Sequence, residues 1–204
     1  MTADRIGVFG GTFDPPHNGH VALMAWAIHE LGLDRMIVIP AGDPWQKSSQ
    51  VGVTPAPMRL ELTRAMVSSV GWPEDRACQV EVSDIEVRRT GPSYMIDTID
   101  ALEPEFDGEL PLVVLGADAA AGLASWERAA ELSQRCVIAW GARPGAPDPL
   151  LGPEWSQRRF DLPALHLDST AIRGWAQEGR PLSGLVPEEV VSILNANRLY
   201  RVAR

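Results

Sequence analysis

The chain has 204 residues, of which 45% are hydrophobic and 22% charged, as is usual for a soluble globular protein. This length predicts one domain spanning residues 1–204, with a small C-terminal helical part from about residue 168. The formal charge of −9 argues against a nucleic-acid binder, and no apolar stretch approaches membrane-spanning length, so we expect a cytoplasmic protein with no nucleic-acid or membrane partner.

The first stretch of the chain combines a strand, a glycine turn and a helix start. Residues 6–9 form a short apolar run bounded by turn residues, which predicts a buried strand. Apolar residues then recur at helical spacing between residues 21 and 31. The turn between them contains Gly10 and Gly11, where the backbone can approach a ligand closely. A strand, a glycine turn and a helix N-terminus together predict an anion site.

Two histidines, His17 and His20, stand three residues apart at this helix start and therefore share one face of its first turn. Such a pair is more often incidental, or part of a metal site, than directed at phosphate. No third ligand stands nearby at metal spacing, and four histidines in total argue against zinc. The P-loop pattern and the dinucleotide glycine fingerprint are both absent, which argues against a dehydrogenase.

A second apolar strand over residues 36–40 completes a β-α-β unit, which implies a parallel sheet with a right-handed crossover. The loop after this strand carries Lys47, the single lysine of the chain. Loops at the C-terminal ends of strands face the ligand crevice of an open α/β sheet. Lys47 is therefore either a phosphate contact or a solvated surface lysine, and the preceding motif favours phosphate contact.

The middle of the chain continues to alternate between helices and strands. The pattern predicts helices over residues 58–70 and 94–102 and strands over residues 79–87 and 111–115. Asp118 comes directly after the 111–115 strand. An acidic residue there can accept hydrogen bonds from ribose hydroxyls, cap the next helix, or do both.

The last third predicts a short helix ending at residue 133, a strand over residues 136–140, a loop rich in proline and glycine, and a final strand over residues 165–167. A helical tail over residues 182–199 closes the chain, with Pro187 near a helix start. Strands and helices that alternate throughout predict a Rossmann-like, doubly wound α/β fold. Its sheet would be mostly parallel, with helices on both faces and a small C-terminal helical extension.

A second phosphate-suited helix start lies near the C-terminus. Asp168, Ser169 and Thr170 favour a helix N-terminus, whose backbone N–H groups point outward. Arg173 follows on the first turn, where its planar fork can grip phosphate oxygens. A capped surface helix with an ordinary arginine is the commoner meaning of this pattern, but two such helix starts in one α/β domain favour phosphate binding.

From Gly7 to Tyr200 the chain resembles the nicotinate-nucleotide adenylyltransferase family, within the nucleotidyltransferase superfamily that shares His-x-Gly-His. The similarity lies in residues 10–20, 92–98, 116–126 and 168–173 and in the C-terminal ending, residues 185–187 and 199–200. Two departures from the family pattern lie in motifs whose residues are expected to contact the mononucleotide. Met95 replaces a usual threonine, and Trp45-Gln46-Lys47 replaces Pro-His-Lys, as in actinobacterial members. Asp168 replaces the first serine of the last motif.

This resemblance implies adenylyl transfer from ATP, bound with Mg²⁺, to nicotinate mononucleotide, a step of NAD biosynthesis that releases pyrophosphate. It implies catalytic roles for His17, His20, Lys47 and Arg173. It implies that ATP is bound by Gly10, Gly11, Thr12, Phe13, His17, His20, Gly116, Asp118, Ser169, Thr170 and Arg173. It implies that the mononucleotide is bound by Lys47, Tyr94, Met95 and Trp126. It implies no metal-ligating side chain. The aromatic rings of Tyr94 and Trp126 either stack on the pyridine or pack in the core.

Two other functions fit the first motif. One is a different nucleotidyltransferase, which would use nicotinamide mononucleotide, phosphopantetheine or a cytidylyl donor. The other is a catalytically silent nucleotide-binding module, against which the intact His17, His20, Lys47 and Arg173 argue. The sequence leaves the oligomeric state open, with a homo-oligomer among the options.

Overall fold

The computed structural model describes residues 4–47, 52–72 and 77–201, with Lys47 described by its backbone alone. Six strands form one sheet in the order β3-β2-β1-β4-β5-β6, and every pairing is parallel. This confirms the doubly wound α/β prediction, with a sheet that is wholly parallel. The strands are β1 (Ile6–Gly11), β2 (Arg35–Pro40), β3 (Gln79–Val82), β4 (Leu112–Gly116), β5 (Val137–Ala142) and β6 (Gln157–Asp161).

Helices cover both faces of the sheet. The α-helices are α1 (Asn18–Leu31), α2 (Ala56–Ser68), α3 (Ile85–Arg88), α4 (Met95–Leu102), α5 (Ala117–Ala121), α6 (Ala129–Arg135), α7 (Ser169–Gln177) and α8 (Glu188–Ala196). Short 3₁₀ helices cover Trp45–Lys47, Glu103–Glu105 and Leu123–Ser125. In the described residues, no helix combines the length and the apolar character needed to cross a membrane.

The sheet separates two hydrophobic cores. Side chains of α1, α2, α7 and α8 pack with Phe9 on one face, whereas those of α4, α5 and α6 pack with Val8 on the other. Neighbouring residues of β1 thus point into opposite cores, as the period of a strand requires. Burial on both faces explains why the central strands are continuous apolar runs that the sequence reveals.

Two strand predictions at the sheet edges are wrong. The strand predicted over residues 79–87 ends at Val82, and Ile85 and Val87 lie in the short helix α3. The strand predicted over residues 165–167 is not a strand, and β6 lies earlier, at Gln157–Asp161. Of its five residues only Phe160 is buried, because β6 is an edge strand whose other side chains face solvent. An edge strand of this kind has no apolar run to detect.

The predicted helices exist, with shifted ends. The helices predicted over residues 58–70 and 94–102 are α2 and α4. The C-terminal tail is helical only over α8, and Pro187 is its N-cap residue. Asp168 is the N-cap of α7, as the sequence indicates.

The topology places the crevice at the C-terminal ends of β1 and β4. These neighbours form the point at which the strand order reverses, so the loops after them diverge. The prediction that Gly10 and Gly11 form a turn is wrong, because both residues belong to β1 and pair with Ile39 and Pro40 of β2. Gly116 ends β4 in the same way. Three of the residues predicted to bind ATP, Gly10, Gly11 and Gly116, therefore lie at the ends of two adjacent strands.

Arg59 on α2 ties the loops around this crevice together. Its side chain is buried, with 1% of the residue exposed. The guanidinium donates from Nε to the Thr54 carbonyl at 2.7 Å, from Nη1 to the Thr12 carbonyl at 2.8 Å and from Nη2 to the Gly42 carbonyl at 3.0 Å. Burial lowers the pKa of Arg59, and the negative charge of Asp14 opposes that shift. One cation thus fixes the loop after β1, the loop after β2 and the start of α2.

We expect Arg59→Met to lower the free energy of unfolding by about 4 kcal/mol, because three buried or partly buried carbonyls lose their donors. Arg64→Met is the matched control on the same helix. The Arg64 side chain is 56% exposed and meets Asp84 only at 3.8 Å, so its loss should cost less than about 1 kcal/mol. Urea denaturation measures both changes, and equal losses would contradict the bridging role of Arg59.

Candidate active site

His17 and His20 form a stacked pair where α1 begins. The ring centroids are 3.7 Å apart, with 28° between the ring planes. His17 is the N-cap residue in an extended conformation, and its backbone N–H donates to Nδ1 of His20 at 3.1 Å. A nitrogen that accepts a hydrogen bond carries no proton, so the proton of the His20 ring lies on Nε2. The capping contact therefore makes Nε2 of His20 a hydrogen-bond donor.

The His17 ring is buried and uncharged at neutral pH. Burial lowers its pKa to about 4, the positive charge of Arg143 acts in the same direction, and the carboxylate of Asp168 opposes both. Within the described chain, Nδ1 of His17 has no hydrogen-bond partner. A side chain beyond glycine at position 19 would collide with this ring, since an added Cβ would lie 2.9 Å from Nδ1. His17 can thus offer dipoles to a phosphate, whereas positive charge must come from arginine and lysine.

The second phosphate-suited helix start joins the first motif directly. Asp168 accepts a hydrogen bond from the Ala171 N–H at 2.8 Å, which caps α7. Ser169 Oγ donates to the Pro15 carbonyl at 2.9 Å. Arg173 donates from Nη1 to the Asp14 carbonyl at 2.7 Å and from Nη2 to Thr170 Oγ1 at 3.3 Å. The structure therefore brings Ser169, Thr170 and Arg173 beside the histidine pair, although about 150 residues separate them in sequence.

Gly116 and Asp118 lie where β4 passes into α5. Gly116 is the N-cap residue of that helix, so the alternative in which Asp118 caps it is wrong. The Asp118 side chain is 88% exposed and meets Nη1 of Arg143 at 3.3 Å. Arg143 directly follows β5, at the start of a loop rich in proline and glycine. It was not identified as a site residue from the sequence. Its position directly after a buried strand was the available signal.

A small pocket of about 110 Å³ lies at the C-terminal end of β1. It approaches the size of the roughly 150 Å³ cavity that admits benzene in another protein. We call it the ring pocket. It is lined by Gly10, Gly11, Thr12, Ala41, Pro44, Trp45, Gln46, Glu86, Ser93, Met95 and Trp126.

The ring pocket includes two of the residues predicted to bind the mononucleotide, Met95 and Trp126. Tyr94 instead is the N-cap residue of α4, and its ring centroid lies 6.0 Å from that of Trp45. Sequence reasoning missed Glu86 as a pocket residue, because the predicted strand over residues 79–87 treated it as one polar position of an alternating pattern. It also missed the lining role of Trp45, although this residue belongs to a motif that departs from the family pattern.

Phe13 and Lys47 differ from the other predicted site residues in what they can offer a ligand. The Phe13 side chain is 1% exposed and packs edge-to-face on Phe9, with centroids 5.4 Å apart, so only its backbone is available to a nucleotide. Gly11 must be small, because an added Cβ would lie 2.9 Å from the Phe13 ring. The backbone of Lys47 ends the 3₁₀ helix after β2, and its side chain lies outside the described residues.

Comparison with known proteins agrees with this geometry. The chain matches the family described as cytidylyltransferase-like over residues 8–175. A probable nicotinate-nucleotide adenylyltransferase of Leifsonia xyli is 35% identical, over 97% of this chain and 94% of that protein. One of the same description from Exiguobacterium sibiricum is 37% identical, over 96% of this chain and 98% of the relative.

The fold matches a solved structure of Plasmodium falciparum nicotinic acid mononucleotide adenylyltransferase complexed with NaAD. The TM-score is 0.77, the sequence identity is 12%, and 97% of each chain is covered. At this identity the likeness concerns the fold alone.

The pKa of His17 predicts a pH dependence of stability. The folded value is about 4 and the ordinary value is 6.5, so between these limits the unfolded chain binds a proton that the folded protein excludes. We expect this group to lower the free energy of unfolding as pH falls from 6.5 to 4, by about 3 kcal/mol in total, with no contribution to the slope above that window.

Urea denaturation of the wild type and His17→Asn between pH 4 and 8 measures this effect. The difference between the two proteins should change only inside the window. His29→Asn, at an exposed position of the same helix, should retain the wild-type decline. Parallel curves for the wild type and His17→Asn would contradict the assignment.

Proposed function

The chain belongs to the nicotinate-nucleotide adenylyltransferase family of cytidylyltransferase-like proteins, and on that premise we propose how its residues carry out the reaction. The enzyme transfers the adenylyl group of ATP to nicotinate mononucleotide in NAD biosynthesis. The products are nicotinate adenine dinucleotide and pyrophosphate.

In this reaction an oxygen of the mononucleotide 5′-phosphate attacks the α-phosphorus of ATP. The new P–O bond forms as the bond between the α-phosphorus and the bridging oxygen breaks, and pyrophosphate carries that electron pair away. The attacking phosphate is already ionised near neutral pH, so no general base is needed. Catalysis then rests on positioning the two phosphates and on stabilising charge at the phosphoryl oxygens.

The joined helix starts of α1 and α7 are the observation that supports these roles best. Ser169 and Arg173 bond the start of α7 to the loop before α1, which brings the partial positive charges of the two helix N-termini into one region. We assign the triphosphate to this region, with the Nε2 proton of His20 and the guanidinium of Arg173 as side-chain donors. Lys47 remains a predicted phosphate contact. Gly116 and Asp118, at the end of β4, are assigned to the ATP ribose.

The ring pocket is assigned to the pyridine of the mononucleotide. Trp126 and Met95 line it, and the indole N–H of Trp126 is buried without a hydrogen-bond partner within the described chain. A buried donor without a partner is costly, so a ligand acceptor would relieve it. Tyr94, whose ring was predicted either to stack on the pyridine or to pack in the core, is not among the residues that line this pocket, and its carbonyl accepts from Arg89 Nη2 at 3.3 Å and Thr98 Oγ1 at 3.2 Å.

Magnesium is proposed to enter as part of the substrate, MgATP. In the described residues, no group of three or more histidine, cysteine or acidic side chains is arranged to hold a metal ion. The phosphates of ATP supply hard oxygen ligands of the kind that Mg²⁺ prefers. The cytoplasmic location and the homo-oligomer remain predictions.

A competition between mononucleotide acceptors tests the proposed function. The purified enzyme is given MgATP with equal nicotinate and nicotinamide mononucleotide, and dinucleotides and pyrophosphate are followed by chromatography. We expect strong preference for nicotinate mononucleotide, with one pyrophosphate per dinucleotide. Equal use of both acceptors would indicate a different ring pocket, with Met95 the first residue to examine. ATP binding without any product would favour phosphopantetheine as acceptor or a silent module.

We expect His20→Ala to lower turnover by roughly 10²- to 10³-fold, the scale of removing one donor to the transition state. His29→Ala is the control, because it removes an exposed imidazole from the same helix away from the helix start. Turnover is measured at saturating substrates after circular dichroism has shown that both variants are folded. Near-wild-type turnover in a folded His20→Ala enzyme would remove His20 from the catalytic set.

A further inference from the structure

We propose that Glu86 is a positioning residue that fixes the shape of the ring pocket and so sets discrimination at the pyridine ring. This inference rests on the proposed function, which assigns the pyridine to that pocket. Glu86 lies in α3, is 4% exposed and lines the pocket together with Ser93. Nothing in adenylyl transfer itself requires a buried carboxylate here.

The carboxylate of Glu86 meets two hydroxyl groups. Thr98 Oγ1 on α4 donates to Oε1 at 2.6 Å. The hydroxyl of Ser93, which also lines the pocket, acts on the same carboxylate and opposes the rise that burial causes in its pKa. Burial raises the pKa of Glu86, while the two hydroxyl bonds and the nearby charges of Arg89 and Arg59 oppose that shift. Two donors that converge on a buried carboxylate fix its orientation, which is how a positioning residue acts.

Ser93 connects Glu86 to the loop after β2 through hydrogen bonds. Its Oγ accepts from the backbone N–H groups of Gly42 at 2.9 Å and Asp43 at 3.2 Å. The Ser93 N–H donates in turn to the Asp43 carbonyl at 2.8 Å. A Cβ at Gly42 would lie 2.1 Å from the Glu86 carbonyl oxygen, so the two backbones are in direct contact. This loop continues into Pro44 and Trp45, which form one wall of the ring pocket.

The direction of these hydrogen bonds favours a carboxylate. Both lone pairs of Ser93 Oγ accept from N–H groups, so its single proton is left for Glu86. Thr98 Oγ1 donates to Glu86 at 2.6 Å and has the Tyr94 carbonyl at 3.2 Å as a second acceptor. A glutamine has the same shape, but its amide N–H would face one of the two hydroxyls. Glu86→Gln therefore either opposes the Ser93 proton or turns the Thr98 proton towards Tyr94, and in both cases it removes one bond to the carboxylate while keeping the volume.

Equilibrium binding separates a positioning role from general structural support. Nicotinate mononucleotide is titrated by calorimetry into enzyme saturated with α,β-methylene-ATP, and the analogue is titrated alone in a second experiment. We expect Glu86→Gln and Ser93→Ala each to weaken mononucleotide binding at least tenfold, with less than a threefold change for the analogue. Ser93→Thr retains a hydroxyl and should stay within threefold of the wild type. The double variant Glu86→Gln/Ser93→Ala should be no weaker than the worse single variant, because both interrupt one connection.

Kinetics give the second readout. In Glu86→Gln, KM for nicotinate mononucleotide should rise at least tenfold with kcat within threefold, and the preference over nicotinamide mononucleotide should fall. Glu81→Gln is the control, since Glu81 lies on β3 and pairs with Arg35 away from the pocket. Unchanged mononucleotide binding in Glu86→Gln, or equal weakening of both ligands, would overturn the proposal. A wild-type enzyme that makes no dinucleotide from nicotinate mononucleotide would refute the proposed function instead.

Discussion

The buried guanidinium of Arg59 is the interaction on which the crevice depends. The loops that follow parallel strands lie outside the hydrogen-bond ladder of the sheet. Other interactions must therefore hold these loops in place relative to one another. Arg59 does so by donating to carbonyls of three segments, at Thr12, Thr54 and Gly42. Burying a cation without a directly paired carboxylate is costly, and here the carbonyl dipoles and the field of Asp14 offset that cost.

The joined helix starts of α1 and α7 depend on a similar connection made from the C-terminal end of the chain. The Tyr200 hydroxyl donates to Oδ1 of Asp14 at 2.6 Å, and the Thr54 N–H donates to Oδ2 at 3.2 Å. Burial and the Asp14 carboxylate raise the pKa of Tyr200, which keeps this proton on the phenol. Arg173 binds the carbonyl of the same Asp14. Asp14 thus joins the first motif to the last helices, and the two helix starts converge as a result.

Sequence reasoning succeeded where burial leaves a local pattern. The central strands are apolar on both faces. Asp168 caps α7 by accepting a hydrogen bond from the N–H of Ala171, only three residues away. Both features could therefore be predicted. It failed at the edges of the sheet, where β6 buries one residue and where the alternation near β3 fits a short helix equally well. The histidine pair at the start of α1 and Arg173 on the first turns of α7 were predicted because each belongs to a short motif whose pattern is local.

The sequence by itself determined the fold class, the two phosphate-suited helix starts and the family. Only the tertiary structure decided that Phe13 points into the core, that Arg143 lies beside Asp118, and that Glu86 is a wall of the ring pocket. The reason is the range of the interactions. A helix cap is satisfied within a few residues, whereas a buried arginine or glutamate is satisfied by groups that the fold brings from distant segments. In sequence such a residue is indistinguishable from a solvated surface charge.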